Sequence, residues 1–271
     1  MSAMKRILFI LTFIIFEIHC SNLLVSAPGD TIKIRTVEFG QAKKGKYLFP
    51  DSTKRFEKII MNYKIKCPCG EWDYLAFVFA NGTEIFRYIT PYGNGLNLGN
   101  GFNFPIDVSD FRTLLHDSVD LDASSNGQEN LEISFDFIEG TPPRDVIRFQ
   151  NIFNIFKQYN KDFEQWLPPT DITFSTSEKS ARLKVIQTGH AFTGNDNCNE
   201  FCKKEAFVKI DGTTRYRRFI WRDDCGKNPI YPQGGTWVYN RSNWCPGAEV
   251  RYHDYELTPY ISSGGTSSLD Y

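Results

Sequence analysis

Short segments in which apolar and polar residues alternate recur along this sequence, with glycine and proline between them. Alternation places one row of side chains on a core and the other in water, which is the pattern of a half-buried β-strand. Long alanine- or leucine-rich runs, which favour helices, do not occur in the sequence. Strands are predicted at residues 31–37, 56–65, 75–79, 84–90, 131–138, 182–188, 206–210, 216–221, 255–261 and 266–271. The sequence therefore predicts an all-β fold.

The chain has 271 residues, which suits two domains better than one. Gly140-Thr141-Pro142-Pro143 is the best boundary, because two prolines and a glycine interrupt any regular element. We expect an N-terminal domain over residues 21–140 and a C-terminal domain over residues 141–271. A short helix is predicted at residues 107–115. Residues 149–166 match a helical face in part, residues 147–153 would also serve as a strand, and the choice stays open.

The first twenty residues have the features of an export signal. Lys5 and Arg6 precede an apolar run over residues 7–16, which is too short to span a bilayer but suits the core of a signal peptide. Residues 1–20 are therefore expected to be a signal peptide, and the protein to be secreted, periplasmic or at the cell surface. Cys20 is a candidate for a lipid anchor. Plain export is the alternative, because the residues before Cys20 are not the small ones that such a site prefers.

Six cysteines remain when Cys20 is set aside. An even number in an exported chain indicates three disulfides. Their order suggests local pairs, although sequence alone allows about fifteen pairings. A zinc site built from the two closest pairs is the alternative, but their spacings differ from the usual zinc-binding patterns. The suggested pairs are Cys67 with Cys69, Cys198 with Cys202, and Cys225 with Cys245.

Two acidic residues stand beside these cysteines. Asp73 follows the pair at 67 and 69, next to Trp72 and at the mouth of an apolar predicted strand. Glu200 lies between Cys198 and Cys202 in the other half of the chain. A carboxyl group at the end of a rigid element, partly dried by a large ring, has the conditions that shift a pKa and suit acid–base catalysis. We expect Asp73 and Glu200 to meet across a cleft between two β domains.

Five ordered motifs resemble the peptide-N-glycosidase F family, bacterial amidases that remove N-linked glycans. The resemblance covers roughly residues 30–260 and implies two eight-stranded antiparallel jelly rolls side by side, with the active site between them. It also implies hydrolysis of the amide that joins the innermost N-acetylglucosamine to asparagine. The motifs are Cys-Gly-Glu-Trp-Asp at 69–73, Gly-His-Ala at 189–191, Asn-Cys-Asn-Glu-Phe-Cys at 197–202, Asp-Asp-Cys-Gly-Lys-Asn-Pro at 223–229, and residues 234–247.

The resemblance assigns roles to individual residues. Asp73 takes the place of the principal catalytic residue, Glu200 that of its partner, and Arg241 that of a substrate-contacting arginine. Arg241 could instead pair with Asp223 or Asp224 in a structural network. The local disulfide pairs also match the family. Substrate binding is predicted for Arg241, Trp72, Glu71, His190 and Trp244, with Trp237 and Tyr239 as further sugar-stacking rings.

Three departures from the family pattern affect the site and the fold. Tyr74 stands where the family has a substrate-binding arginine. The family has a third site glutamate, to which no residue of the shorter segment 122–130 is assigned, although Glu129 lies there. The family's second domain continues beyond the position of Tyr271, so the second jelly roll is expected to be incomplete through truncation.

The expected function is therefore that of a secreted amidohydrolase acting on N-glycosylated proteins or glycopeptides, without a cofactor or a metal and as a monomer. A catalytically weak glycan-binding module of the same fold is the alternative. A copper monooxygenase would also fit paired jelly rolls, but only His116, His190 and His253 remain after export. The formal net charge of −1 gives no basic footprint, so nucleic acid is not expected as a partner.

Overall fold

The structure is a computed structural model that describes residues 29–125, 127–157, 162–191 and 198–271. The predicted signal peptide, Cys20 and Asn197 lie outside the described residues. No helix in these ranges has the length and apolar character needed to cross a bilayer. The strands are β1 (Thr31–Val37), β2 (Lys44–Leu48), β3 (Phe56–Lys66), β4 (Leu75–Ala80), β5 (Thr83–Ile89), β6 (Phe102–Asp107), β7 (Ser118–Asp122), β8 (Asn130–Glu139), β9 (Thr170–Thr173), β10 (Arg182–Ile186), β11 (Lys204–Ile210), β12 (Thr213–Ile220), β13 (Ala248–Glu249), β14 (Tyr252–Glu256) and β15 (Thr266–Asp270).

Helical structure is limited to single turns in the described part of the chain. The α-helical turns are α1 (Phe163–Trp166) and α2 (Cys198–Phe201), and the 3₁₀ turns are Ser109–Phe111, Cys225–Lys227 and Thr258–Tyr260. All strand pairings are antiparallel. The architecture matches the jelly-roll fold, so the predicted all-β fold class is confirmed.

The first eight strands form a sandwich of two sheets. One sheet has the order β1-β8-β3-β6, and the other contains β5-β4-β7-β2. The alternation in β3 buries Ile59, Met61, Tyr63 and Ile65, whose side chains face a core that both sheets share. Burial of a large aliphatic or aromatic side chain contributes about 1.5–3 kcal/mol, so this alternation accounts for much of the cohesion of the first half.

The second half forms a smaller sandwich. Its larger sheet has the order β12-β11-β15-β9, and the smaller consists of β10 and β14. Val208 and Ile210 from β11, Leu269 from β15 and Leu183 from β10 belong to one buried cluster. The strand predicted at residues 266–271 is confirmed as β15, which pairs with a neighbour on each side.

A short strand joins the two halves. Strand β13 lies in the second half of the sequence but pairs with β5 as the fifth strand of a sheet of the first sandwich. The backbone N–H of Gly247 donates to the Ile89 carbonyl at 2.8 Å, and that of Val250 donates to the Arg87 carbonyl at 2.8 Å. The chain just before β13, residues 241–247, is thereby fixed against the first sandwich.

The segment 149–166 adopts neither of the two predicted forms over its described part, apart from the single turn α1. Phe149 packs on Phe111 of the first sandwich with ring centroids 5.2 Å apart. Ile152 and Phe153 pack instead against the core of the second sandwich. Because the apolar residues of this segment pack on two different sandwiches, the segment needs no single amphipathic face. The helix predicted at residues 107–115 is confirmed only as the 3₁₀ turn Ser109–Phe111.

The three suggested disulfides are present: Cys67–Cys69, Cys198–Cys202 and Cys225–Cys245. They use the sulfur atoms that the zinc alternative required, so that alternative is set aside. Bridges of this kind persist in oxidising compartments, which agrees with export.

Candidate active site

The backbone around Asp73 is held on both sides by one threonine. Thr90 follows β5, and its hydroxyl oxygen accepts a hydrogen bond from the backbone N–H of Tyr74 at 2.8 Å. The same hydroxyl donates to the carbonyl oxygen of Trp72 at 3.3 Å. Thr90 is completely buried. The pairing of β4 with β5 therefore fixes the position of Asp73 at the entry to β4.

A second loop approaches Asp73 because of a glycine. The N–H of Gly93 donates to the carbonyl oxygen of Gly70 at 2.8 Å. A Cβ atom at Gly93 would lie 2.2 Å from that oxygen, so only glycine permits the contact. This approach brings the preceding residue, Tyr92, next to Asp73.

Glu200 lies in α2, which the Cys198–Cys202 disulfide closes. The N–H of Ser242 donates to the Glu200 carbonyl at 2.8 Å, and the N–H of Gly189 donates to the Ser242 carbonyl at 3.0 Å. A Cβ at Gly189 would be 2.1 Å from the Asn199 carbonyl oxygen, so glycine is again required. These bonds pack the segments that carry His190, Glu200 and Arg241 against one another.

Arg241 is completely buried between two rings. Its guanidinium carbon lies 5.1 Å from the ring centroid of Phe201 and 4.7 Å from that of Trp244. Nη1 donates to the Tyr239 carbonyl at 2.6 Å, and Nη2 donates to the Thr236 hydroxyl at 2.7 Å. Nε faces Glu200 Oε2 at 3.8 Å. The cation is thus oriented toward Glu200 by its other contacts.

Asp224, one of the two structural partners considered for Arg241, is engaged elsewhere. Its carboxylate accepts hydrogen bonds from Arg222 at 2.7 Å and from Arg251 at 2.6 Å. The ion pair of Arg241 with Glu200 therefore replaces the structural network that the sequence left open.

Burial raises the pKa of both acids. Burial raises the pKa of Glu200 to about 7, with a further rise from the charge of Asp73 and a partial offset from Arg241. Burial also raises the pKa of Asp73, but a hydrogen bond from Tyr92 and the charge of Arg241 oppose the rise. Near neutral pH, Glu200 therefore holds its proton for a large fraction of the time.

His190 is a neutral neighbour of Asp73. Burial lowers the pKa of His190 to about 4, and Arg241 contributes to the decrease. Its Nε2 lies 4.0 Å from Asp73 Oδ2, and its ring meets Trp244 edge-on with centroids 4.5 Å apart. At pH 7 the imidazole carries no charge, so His190 packs beside Asp73 without forming an ion pair with it.

Three buried polar atoms of the site have no hydrogen-bond partner among the described residues: Asp73 Oδ2, Arg241 Nε and Trp244 Nε1. One is an acceptor and two are donors. Buried polar groups in native proteins are almost always satisfied, so a water molecule or a polar ligand atom at these three atoms would complete their hydrogen bonding.

Tyr92 and Thr236 are site residues that the sequence analysis missed. The Thr236 hydroxyl, which accepts from Arg241, hydrogen-bonds the Tyr92 hydroxyl, and Tyr92 in turn hydrogen-bonds Asp73. Burial raises the pKa of Tyr92, which keeps it protonated. A chain of hydrogen bonds therefore connects Arg241 to Asp73. In the sequence, only Gly93 indicated that Tyr92 could approach Asp73 so closely.

The predicted sugar-contacting residues fall into two groups. Trp72 and Tyr239 are each 57% exposed, and Glu71 is also exposed, so these side chains are accessible to a ligand. Trp237 is half-buried. Trp244 is completely buried, so its ring offers no face to a sugar. It supports Arg241 and His190 instead.

Neither Tyr74 nor Glu129 replaces the missing family residues at the surface of the site. The Tyr74 ring lies against the turn at Gly70, with Cε2 3.1 Å from where a Cβ of that glycine would be. Glu129 is completely buried, accepting a hydrogen bond from Ser125 at 2.5 Å and one from Lys43 at 3.3 Å.

Comparison with known proteins agrees with this architecture. The sequence model described as peptide-N-glycosidase F, C terminal, matches residues 158–271. A solved structure of PNGase F, a glycosylasparaginase from Flavobacterium meningosepticum, is 25% identical with a TM-score of 0.71, over 89% of this chain and 88% of that one. A comparison with curated protein sequences gave no match.

Two further solved structures share the fold. A peptide-N(4)-(N-acetyl-beta-D-glucosaminyl) asparagine amidase is 24% identical with a TM-score of 0.68, over 89% of this chain and 88% of that one. A structure of PNGF-II is 18% identical with a TM-score of 0.59, over 89% of this chain and 61% of the other. The sequence match in the second half and the structural match across both halves support membership of the peptide-N-glycosidase F family.

Proposed function

We propose that this protein is an amidase that hydrolyses the bond between the innermost N-acetylglucosamine of an N-linked glycan and its asparagine. The observation that carries the proposal is the pair of acids, one from each half of the chain, that share one buried guanidinium. Burial raises both pKa values, and the charge of Asp73 raises that of Glu200 further, to about 7. A carboxyl with a pKa near neutrality suits the role of acid, and its neighbour is then assigned as the base.

Asp73 is assigned as the general base. The hydrogen bond from Tyr92 and the charge of Arg241 both favour its carboxylate form. Its buried Oδ2 has no hydrogen-bond partner among the described residues, so it is the atom assigned to the attacking water. Asp73 removes a proton from the water as the oxygen attacks the amide carbonyl carbon. The chain of hydrogen bonds through Tyr92 keeps the other carboxylate oxygen in a fixed orientation. General base catalysis of this kind contributes about 10²–10⁴-fold to a rate.

Glu200 is assigned as the general acid, because its pKa of about 7 leaves it protonated often enough to donate. When the carbon–nitrogen bond breaks, Glu200 protonates the departing nitrogen. The asparagine then becomes aspartate, and the glycan leaves as a glycosylamine. Arg241 is completely buried, so its charge acts through the two acids, where it opposes the rise in the pKa of Asp73 and of Glu200. Trp72 and Tyr239 are assigned to the sugar, since aromatic rings present an apolar face to a pyranose.

The pH dependence tests the assignment of Glu200. The value of kcat/KM is expected to fall above about pH 7, because Glu200 then loses its proton. Glu200→Gln should lower the rate by about 10²-fold and remove this alkaline decrease. Release of glycan from a denatured glycoprotein, followed by gel mobility across a pH series, measures both effects. An unchanged alkaline decrease in Glu200→Gln would assign the titration to another group.

The raised pKa of Glu200 also predicts that replacing Glu200 with glutamine makes the fold more stable. The folded pKa of Glu200, about 7, lies above its ordinary value of 4.5, so the group costs stability as pH rises between these two values. Glu200→Gln should therefore raise the free energy of unfolding by about 1–3 kcal/mol at alkaline pH, with little change under acidic conditions. Denaturant unfolding at both pH values provides the comparison.

Tyr92→Phe tests the chain of hydrogen bonds that reaches Asp73. Loss of a hydrogen bond to a charged group costs about 1.5–3 kcal/mol, so kcat should fall roughly 10- to 100-fold with little change in KM. Tyr231→Phe is the matched control, because Tyr231 is 70% exposed and has no assigned role. Equal kcat values for Tyr92→Phe and the wild type would remove Tyr92 from the mechanism.

The alternative is a glycan-binding module with weak catalysis. Tyr74 favours it, because a tyrosine packed against Gly70 stands where the family has a substrate-binding cation. The two functions differ in one assay. Binding of a glycopeptide without release, in wild type and Asp73→Asn alike, would support the module. Release that depends on Asp73 supports the amidase.

A further inference from the structure

Arg218 is a partly buried cation of the second sandwich, away from the proposed active site. On β12, Arg217 and Phe219 point to solvent, while Tyr216 and Arg218 point toward the smaller sheet. Nε of Arg218 donates to the Tyr255 hydroxyl on β14 at 2.9 Å. The rings of Tyr216 and Tyr255 lie 5.2 Å apart in the same layer. The guanidinium therefore lies between the two sheets.

The outer nitrogens of this guanidinium are unpaired. Nη1 and Nη2 are both buried and have no hydrogen-bond partner in the described ranges. No carboxylate of the described residues forms an ion pair with Arg218 within 4.0 Å. The nearly buried Arg222 shows the usual arrangement, with Asp224 at 2.7 Å. A buried cation without a counter-charge is strongly unfavourable. The outer nitrogens of Arg218 therefore need an acceptor that the described residues do not provide.

The groups around Arg218 suit an anion. A guanidinium has only donors, arranged in a fork that matches a negatively charged ligand. The Tyr255 hydroxyl accepts from Nε, which leaves its own proton to donate to the same ligand. Burial lowers the pKa of His253, which lies on the same strand as Tyr255, to about 4, and the nearby charge of Arg218 contributes to the decrease. This set of donors excludes a cation and favours a small negatively charged species.

His253 connects the surroundings of Arg218 to the loop that carries Arg241. Its Nε2 hydrogen-bonds Asn243 Oδ1 at 2.8 Å, and Asn243 Nδ2 donates to the Gln187 carbonyl at 2.7 Å. Because the amide donates to Gln187, its oxygen faces the ring, so Nε2 carries the imidazole proton. Asn243 lies two residues after Arg241 in the fixed loop.

We propose that Arg218 and Tyr255 bind a small inorganic anion, of which chloride is the simplest, between the sheets of the second sandwich. The anion supplies the counter-charge of Arg218 and stabilises the second half of the fold. The site is independent of the amide hydrolysis proposed above.

Thermal unfolding of the whole chain in sodium bromide and in sodium gluconate, at equal ionic strength, tests the site. Bromide is expected to raise the melting temperature of the wild type by about 2–4 °C. Arg218→Met should lose this response and should melt at or above the wild type in gluconate, because an uncompensated charge is gone. Arg217→Met, which changes the neighbouring exposed arginine, should keep the full response. An equal bromide response in Arg218→Met and the wild type would overturn the proposal.

Crystals grown in bromide give a readout that does not depend on how the variant folds. An anomalous peak is expected within about 3.5 Å of Nη1 and Nη2 of Arg218 in the wild type. A water molecule at that position with no anomalous signal would overturn the proposal, and so would a peak confined to exposed lysines and arginines.

Discussion

Asp73→Asn is expected to reduce glycan release by about 10³–10⁴-fold, the largest effect of any single change in this protein. Asparagine has nearly the shape of aspartate, but it cannot take a proton from water. Burial raises the pKa of Asp73 above its ordinary value, so the ionised carboxylate costs stability when the pH lies above that range. The variant should therefore be as stable as the wild type or more so at neutral pH. Single-turnover release from a labelled glycopeptide measures the rate.

Glycopeptide binding separates a catalytic role for Asp73 from a structural one. Asp73→Asn should bind the intact glycopeptide with an affinity close to that of the wild type. Asp120→Asn, which changes a side chain that is 68% exposed on β7, controls for the chemical change and should keep full activity. Release by Asp73→Asn at more than a tenth of the wild-type rate would mean that another group activates the water.

Arg241→Met is expected to have the second largest effect, because one buried cation interacts with both acids. Its removal takes away the charge that opposes the rise in pKa of Asp73 and Glu200. The rate of release should fall by about 10²–10³-fold, because the acid and the base both lose the charge that sets their pKa values for proton transfer. The alkaline decrease of kcat/KM should also move to higher pH, because the pKa of Glu200 rises further.

The stability of Arg241→Met should depend on pH. Two buried carboxylates without a counter-charge repel each other when both are ionised, so the variant should lose about 3–5 kcal/mol at alkaline pH and recover much of it under acidic conditions. Arg251→Met is the matched control, since its side chain is 52% exposed and pairs with Asp224 and Glu249 outside the site. A stability loss that is the same at both pH values would assign Arg241 to packing alone.

The fold could be predicted where the signal is local. Strand β1 was predicted with its observed ends, because alternation over a few residues determines which face is buried. The missed strands carry weaker signals. Strand β6 contains Pro105, which a sheet tolerates because β6 is an edge strand. In strand β2 the apolar residue Leu48 is 79% exposed, so the order of apolar and polar residues does not show which face of the strand is buried. Strand β13 has only two residues and depends on the neighbouring sheet.

The site could be predicted in part. Asp73 and Glu200 stood out because cysteines frame them, and Arg241 because of its place in a motif. Tyr92 was missed because its position depends on the contact between Gly93 and Gly70, which only the folded chain forms. Trp244 was predicted to contact substrate, but the structure buries it. A tryptophan in a motif can contact a ligand or fill a core, and only the burial of this one decides between them.

The most direct test of the account is mass analysis of a glycopeptide after incubation with the protein in water enriched in heavy oxygen. Hydrolysis by Asp73 and Glu200 predicts that the asparagine becomes an aspartate that carries one heavy oxygen atom, and that this product disappears in Asp73→Asn. An asparagine that retains one N-acetylglucosamine, or a glycopeptide that is bound but unchanged, would contradict the account.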